Sequence, residues 1–175
     1  MDVGSTRLDT APLRVAYSAW FRLNDGLKRA VAGLTADQLA LQPSPAQWPL
    51  WASVGHLCCQ RVFWLCDFAG EPGKETTPFT NAAFHCPGDD DLENVLSAEQ
   101  LVSALDTTFA VVERVLDTWT VESLAAVIRR PDFGPDWVMG RGLLLSRTFA
   151  HDVWHAGQVS QVLSSNGLPR IAVWS

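Results

Sequence analysis

Apolar residues that return every three or four positions over four long stretches constrain this chain most, because such seams are buried only against other helices. From Pro12 to Leu34 the seam is Leu13, Ala16, Trp20, Leu23, Leu27, Ala30 and Leu34, with Pro12 suited to a helix start. Thr35 and Gln38 have capping-box spacing, which predicts a short helix next. Pro43, Pro45 and Pro49 then force an irregular connection. The second stretch, Leu50 to Ala69, places Val54, Leu57, Cys58, Val62, Leu65 and Phe68 on one broad face. Ala52, His56, Cys59 and Phe63 lie beside that face, so the helix reads as buried over most of its girth. Gly70 and Pro72 end it.

The third stretch, Ala98 to Trp119, opens on a Ser97–Gln100 capping box and continues through Leu101, Leu105, Thr108, Val112, Val115 and Trp119. The fourth, Arg141 to Ser165, turns Leu144, Thr148, His151, His155, Gln158, Val159 and Val162 to one face. Asn166 and Gly167 supply a left-handed stop, and Pro169 prevents continuation. Gly157 lowers helix propensity, and close helix packing would explain it. Between the second and third helices, residues 71–97 carry prolines and the acidic run Asp89, Asp90, Asp91, which marks a functional or mobile loop. The segment Thr120–Gly140 is ambiguous between short strands, at Ala125–Ile128 and Trp137–Met139, and extended loop. These elements predict an all-α four-helix bundle with long crossover connections, a single domain over 11–175 after a flexible N-terminus at 1–10.

Several function classes are disfavoured. With 13 Lys and Arg against 19 Asp and Glu, and no basic run, neither nucleic acid nor an anionic membrane is an expected partner. No apolar stretch is long enough to span a membrane, and the first ten residues are too polar for a signal peptide. Cys58, Cys59, Cys66 and Cys86 contain no C-x-x-C pair, so reduced thiols in a cytoplasmic protein are expected.

The four histidines carry the chemistry. His151 and His155 are four apart on a predicted helix, which returns both imidazoles to the same face about 6 Å apart along the axis. Two imidazoles so placed chelate one ion. His56 sits mid-helix among apolar neighbours, where facing bundle helices can meet. Three neutral imidazoles in an apolar core need partners for their nitrogens, and a divalent metal supplies one. Against this stands the ordinary alternative that each is a hydrogen-bonded core histidine. Three ligands leave a coordination position open unless Cys59, three residues from His56, closes it; inert packing is the commoner role of a core cysteine. His85, in the long loop, reads as a surface residue. Asp152 stands where H-E-x-x-H proteases carry glutamate, so that motif is not met; Asp152 either orients a ligand or is solvated. Gln158, one turn beyond His155, reaches a bound water or substrate, or is a satisfied core amide. Arg61, Arg141 or Arg147 could meet an anionic cofactor, but each is read as surface charge; the eight tryptophans could line an apolar electrophile pocket, but most are read as core and loop anchors.

Three runs resemble the DinB/YfiT-like superfamily over about Pro12 to Ala172: Leu-Thr-Ala-Asp-Gln-Leu at 34–39 followed by prolines and Trp48, Trp-Ala-Ser-Val-Gly-His-Leu at 51–57, and His-Asp-Val-Trp-His-Ala-Gly-Gln at 151–158 before Asn-Gly-Leu-Pro-Arg. The resemblance implies a four-helix bundle, a zinc- or nickel-binding triad at His56, His151 and His155, and a homodimer. It also implies kinship with S-transferases that join a low-molecular-weight thiol, of the bacillithiol or mycothiol type, to a small electrophile. Other relatives are metal-dependent hydrolases or stress-response proteins without a settled reaction. A metal on three histidines can lower the pKa of a thiol or of water, so thiol transfer, hydrolysis and a non-enzymatic metal-binding role all remain open.

Overall fold

The computed structural model describes residues 11–82, 85–89 and 91–174; the expected flexible segment 1–10 and Asp90 of the acidic run lie outside the described residues. The first seam forms two helices, α1 (Pro12–Ala16) and α2 (Ser18–Val31), separated at Tyr17, whose backbone leaves helical geometry at φ −103° and ψ 22°. Tyr17 instead packs edge-on against Phe149 with ring centroids 5.5 Å apart. The break leaves Ala16 exposed, while Trp20, Leu23, Leu27 and Val31 stay buried. The predicted capping box at Thr35 is formed in both directions and starts α3 (Ala36–Leu39).

Helix α4 (Leu50–Val62) continues into a π-helical turn, Phe63–Phe68, before Gly70 ends it. Helix α5 (Ala98–Thr118) opens on the complete Ser97–Gln100 capping box. Strands β1 (Val127–Arg129) and β2 (Val138–Gly140) resolve the ambiguous segment into an antiparallel hairpin with Ile128 opposite Met139. Helix α6 (Arg141–Ser165) follows directly, and Gly167, at φ +70°, takes the left-handed position that stops it. Helices α2 and α4 each pack against both α5 and α6, which closes the four-helix arrangement. The expected packing role of Gly157 is not met: a Cβ there would face open space.

The long loop explains why α4 is buried on nearly every side. A Cβ on Gly55 would come within about 3.0 Å of Pro87 and Leu96, so only glycine lets the loop lie on the helix this closely. Gly88, at φ +87°, lies against the indole of Trp48 in the same way.

Inside the bundle one polar cluster touches all four long helices. Arg61 of α4 is fully buried, which corrects its reading as surface charge. Its Nε donates to Asp152 Oδ2 on α6 at 2.7 Å, and its Nη1 donates to Asn24 of α2 at 2.9 Å and Thr108 of α5 at 3.3 Å. Trp20 Nε1 donates to the same Asp152 oxygen at 2.5 Å. Asp152 is therefore not solvated, being 1% exposed. Removing one partner of a buried pair strands the other charge, which costs about 3–5 kcal/mol, whereas replacing both with apolar residues is often neutral. Arg61→Ala should lower unfolding free energy in urea by about that amount, and Arg61→Met with Asp152→Leu should recover most of it. A loss near ~1 kcal/mol for Arg61→Ala would place the pair with surface ion pairs and refute the assignment.

Candidate metal centre

The antiparallel passage of α4 and α6 brings the three predicted histidines together. His56 comes from the middle of α4, while His151 and His155 stand one turn apart on α6. One ligand nitrogen from each lies within 4.8 Å of the others, and no further His, Cys, Asp or Glu joins the group among the described residues. His56 Nε2 and His151 Nε2 are 3.1 Å apart. His56 and His155 are buried and His151 is half-buried.

The long loop holds the His56 ring. His56 Nδ1 lies 3.2 Å from the Pro87 carbonyl oxygen, which can only accept. The Nδ1 proton is thereby assigned, and the Nε2 lone pair points at the other histidines. Cys86 Sγ lies 3.7 Å and Asp89 Oδ2 3.4 Å from the same Nδ1. Burial works against a charge on His56, but hydrogen bonding and charge from Cys86, then Asp89 and Pro87, raise its pKa overall. His151 falls to about 3, through burial and then the neighbouring His155 and His56. His155 falls to about 4, again mainly through burial.

The donor set fits a cation. Nδ1 of His151 and Nδ1 of His155 are buried without a hydrogen-bond partner, and two Nε2 atoms face each other at 3.1 Å. Three neutral imidazoles crowded in this way are balanced by one divalent ion, and imidazole suits zinc and nickel alike. Cys59 stays outside the cluster, buried with its Sγ 3.8 Å from the Ala82 carbonyl. His85 is exposed, as expected. Asp152 binds Arg61 and Trp20 rather than a histidine, so its contribution is to fix the helix that carries His151. Gln158 is half-buried beside His155.

Two cavities open on this cluster. One, of about 290 Å³, is lined by Trp48, Leu50, Ser53, His155, Gln158 and Val159 among others. The second, of about 390 Å³, is lined by Arg147, Ala150, His151, Trp154 and His155. His155 belongs to both.

Sequence reasoning missed Cys86 and Pro87, because a loop of prolines and glycines has no periodicity from which to place them on α4. Cys86 differs from the other thiols: contact with Cys59, and then with His56, lowers it to about 6 against the opposing effect of burial. Burial pushes Cys58 up to about 12 and Cys66 up to about 11.

Groups whose folded pKa lies below the unfolded value make the unfolded chain the better proton acceptor in between, so stability falls as pH drops. With His151 and His155 depressed to about 3 and 4, the metal-free protein should lose stability from about pH 6.5 downward. Thermal unfolding across pH 7.5 to 4.5 should show this fall, and the His151→Gln/His155→Gln variant should flatten it. An unchanged slope in that variant would assign the fall to the Cys86 thiol and to carboxylates instead.

Comparison with known proteins gives two findings and one blank. The family model described as the DinB superfamily matches residues 22–159. The crystal structure of a DinB-like protein from Bacillus cereus superposes with a TM-score of 0.65 at 19% identity, covering 90% of this chain and 95% of that one. The crystal structure of YjoA, a DinB-like protein from Bacillus subtilis, gives 0.61 at 15% identity, covering 89% and 94%. At such identities the likeness speaks to the fold. No curated protein matches the chain.

Proposed function

This chain belongs to the DinB superfamily, and we propose that it is a metal-dependent S-transferase, joining a low-molecular-weight thiol to a small electrophile at His56, His151 and His155. The observation that carries the reading is that two separate cavities meet at His155. A transfer between two organic reactants needs two such approaches, whereas hydrolysis needs one organic substrate and water. Hydrolysis at the same cluster is the second reading, since the donor set serves water as well as thiol.

His56, His151 and His155 would hold the ion, zinc or nickel by donor type. When bound, the ion supplies Lewis acidity, which lowers the pKa of a thiol or water reaching its open side. The protein's own residues do the rest. Pro87 fixes the His56 tautomer through its carbonyl. Trp48 stacks nearly parallel to His155, with centroids 6.1 Å apart, and offers an apolar wall to the electrophile. In the transfer, sulfur forms a bond to the electrophilic carbon, the thiol proton leaves to solvent, and any leaving group departs with its electron pair. No oxidant or reductant is consumed. The same reading takes the protein as a homodimer, on family grounds, and as cytoplasmic, on its cysteine pattern.

Elemental analysis of tag-free protein should find about one zinc or nickel per chain, by the three-imidazole donor set. His56→Ala, His151→Ala and His155→Ala should each lose the metal, and His85→Ala should retain it. Cobalt-substituted protein should develop a sulfur-to-metal absorption band when a small thiol is added. Metal content unchanged in the triad variants would refute the centre. Ester hydrolysis that needs no thiol would move the assignment to the second reading. A metal-loaded protein with no spectral response to thiol and no hydrolysis would leave a non-enzymatic role.

A further inference from the structure

The 390 Å³ cavity on the outer side of α6 has a built polar end that the metal centre does not use. Arg147, His151 and His155 stand at successive turns of one helix face, with Ala150 and Trp154 between them. The Arg147 guanidinium lies 3.8 Å from the centroid of the Trp64 ring. It makes no hydrogen bond or ion pair among the described residues. Arg147 is an exposed residue, and only the partial desolvation of its guanidinium pushes the pKa below the ordinary value. Arg14, Arg61 and Arg130, in contrast, are each spent on a carboxylate of the same chain. A guanidinium resting against a ring, with no carboxylate partner among the described residues, keeps its N–H fork available to receive a carboxylate through two parallel bonds. Trp154 is 68% exposed beside it, a large apolar surface without a covering group among the described residues.

The direction of approach is also set. On the far side of Arg147 a neighbouring cavity includes Asp136, which repels an anion. On the histidine side the lining carries no acidic residue. We propose that this groove binds a small organic monocarboxylate, with its carboxylate on Arg147, its apolar body on Trp154 and its other end at the histidine cluster. Arg147 and His151 are one turn apart, about 6 Å along the axis, so three to five bonds separate the carboxylate from the atom presented to the cluster. One guanidinium neutralises one negative charge, which favours a carboxylate over a phosphate dianion. The inference rests on the histidine cluster being the reaction centre, but the pairing with Arg147 does not need the ion.

The test is calorimetric titration of metal-free and zinc-loaded protein with 3-phenylpropionate, its amide and phenyl phosphate, in wild type, Arg147→Gln, Arg147→Lys and, as control, Arg129→Gln at an exposed arginine of β1 that does not line the groove. The carboxylate should bind at least about tenfold tighter than the amide, as expected for one charge-assisted pair. Arg147→Gln should abolish that preference, Arg147→Lys should keep part of it, and Arg129→Gln should keep it all. Equal binding of acid and amide, undiminished binding to Arg147→Gln, or tighter binding of phenyl phosphate overturns the proposal. So does binding that requires zinc and survives Arg147→Gln, which assigns the carboxylate to the ion. Metal content of Arg147→Gln should equal that of wild type. Metal-free protein that binds the carboxylate through Arg147 yet takes up no metal would sink the metal centre and leave this site standing.

Discussion

Arg61 and Asp152 meet where α2, α4, α5 and α6 all converge, and their 2.7 Å contact sets how those helices stand relative to one another. Two charges in an apolar core are costly, and a better-packed hydrophobic pair would serve stability at least as well. What a directional cluster adds is register. Apolar seams tolerate sliding by a turn, whereas a guanidinium that must reach Asp152, Asn24 and Thr108 together does not. Asp152 follows His151 directly, and Arg61 lies just over one turn beyond His56 on α4. The contact that sets the register of the bundle therefore also fixes the level at which the imidazoles face each other.

That placement would be idle without the long loop. Gly55 lets Pro87 lie on α4, and from there the Pro87 carbonyl accepts a hydrogen bond from the Nδ1–H of His56. The loop thus turns a core histidine into one whose free lone pair points inward. His151 and His155 receive no such support, and their Nδ1 atoms remain buried without partners. Burial and mutual proximity disfavour a proton on those two rings, and for His155 a contact with Gln158 opposes them only in part. A cation shared among three lone pairs is the arrangement that relieves these conditions at once.

The bundle was legible because each of its helices is amphipathic or flanked by its own signals. Both capping boxes formed at Thr35 and Ser97, and Gly167 stopped α6 as its position before Pro169 suggested. The triad was legible because a spacing of four on a helix is a statement about direction, and because His56 lies among residues that must face inward. What escaped were contacts carried by irregular backbone or by charge. Nothing in the sequence ties Cys86 and Pro87 to a helix thirty residues earlier. Arg61 looked like solvated charge because its partner is ninety-one residues away, and only packing could supply the carboxylate. Gly157 was given a packing role that the structure denies, since it faces solvent. Trp154 and Trp174 stand outside the core and loop anchoring read for most of the tryptophans, at 68% and 75% exposed.

The π-helical turn links the two ends of the site. An α-helix continued past Val62 would advance each residue by the regular turn. The wider turn at Phe63–Phe68 instead keeps Trp64, Leu65, Cys66 and Phe68 all buried. Trp64 is anchored by its Nε1 donating to Gln60 at 2.9 Å, and its ring stacks on Trp137 from the hairpin. That anchored ring is the floor on which Arg147 lies. One helix thus supplies His56 to the cluster and, about two turns later, the surface that holds Arg147 beside it. Helix α6 answers with Arg147, His151 and His155 on successive turns. The spacing between anion anchor and imidazoles is therefore written twice, once in the four-residue period of α6 and once in the irregular end of α4.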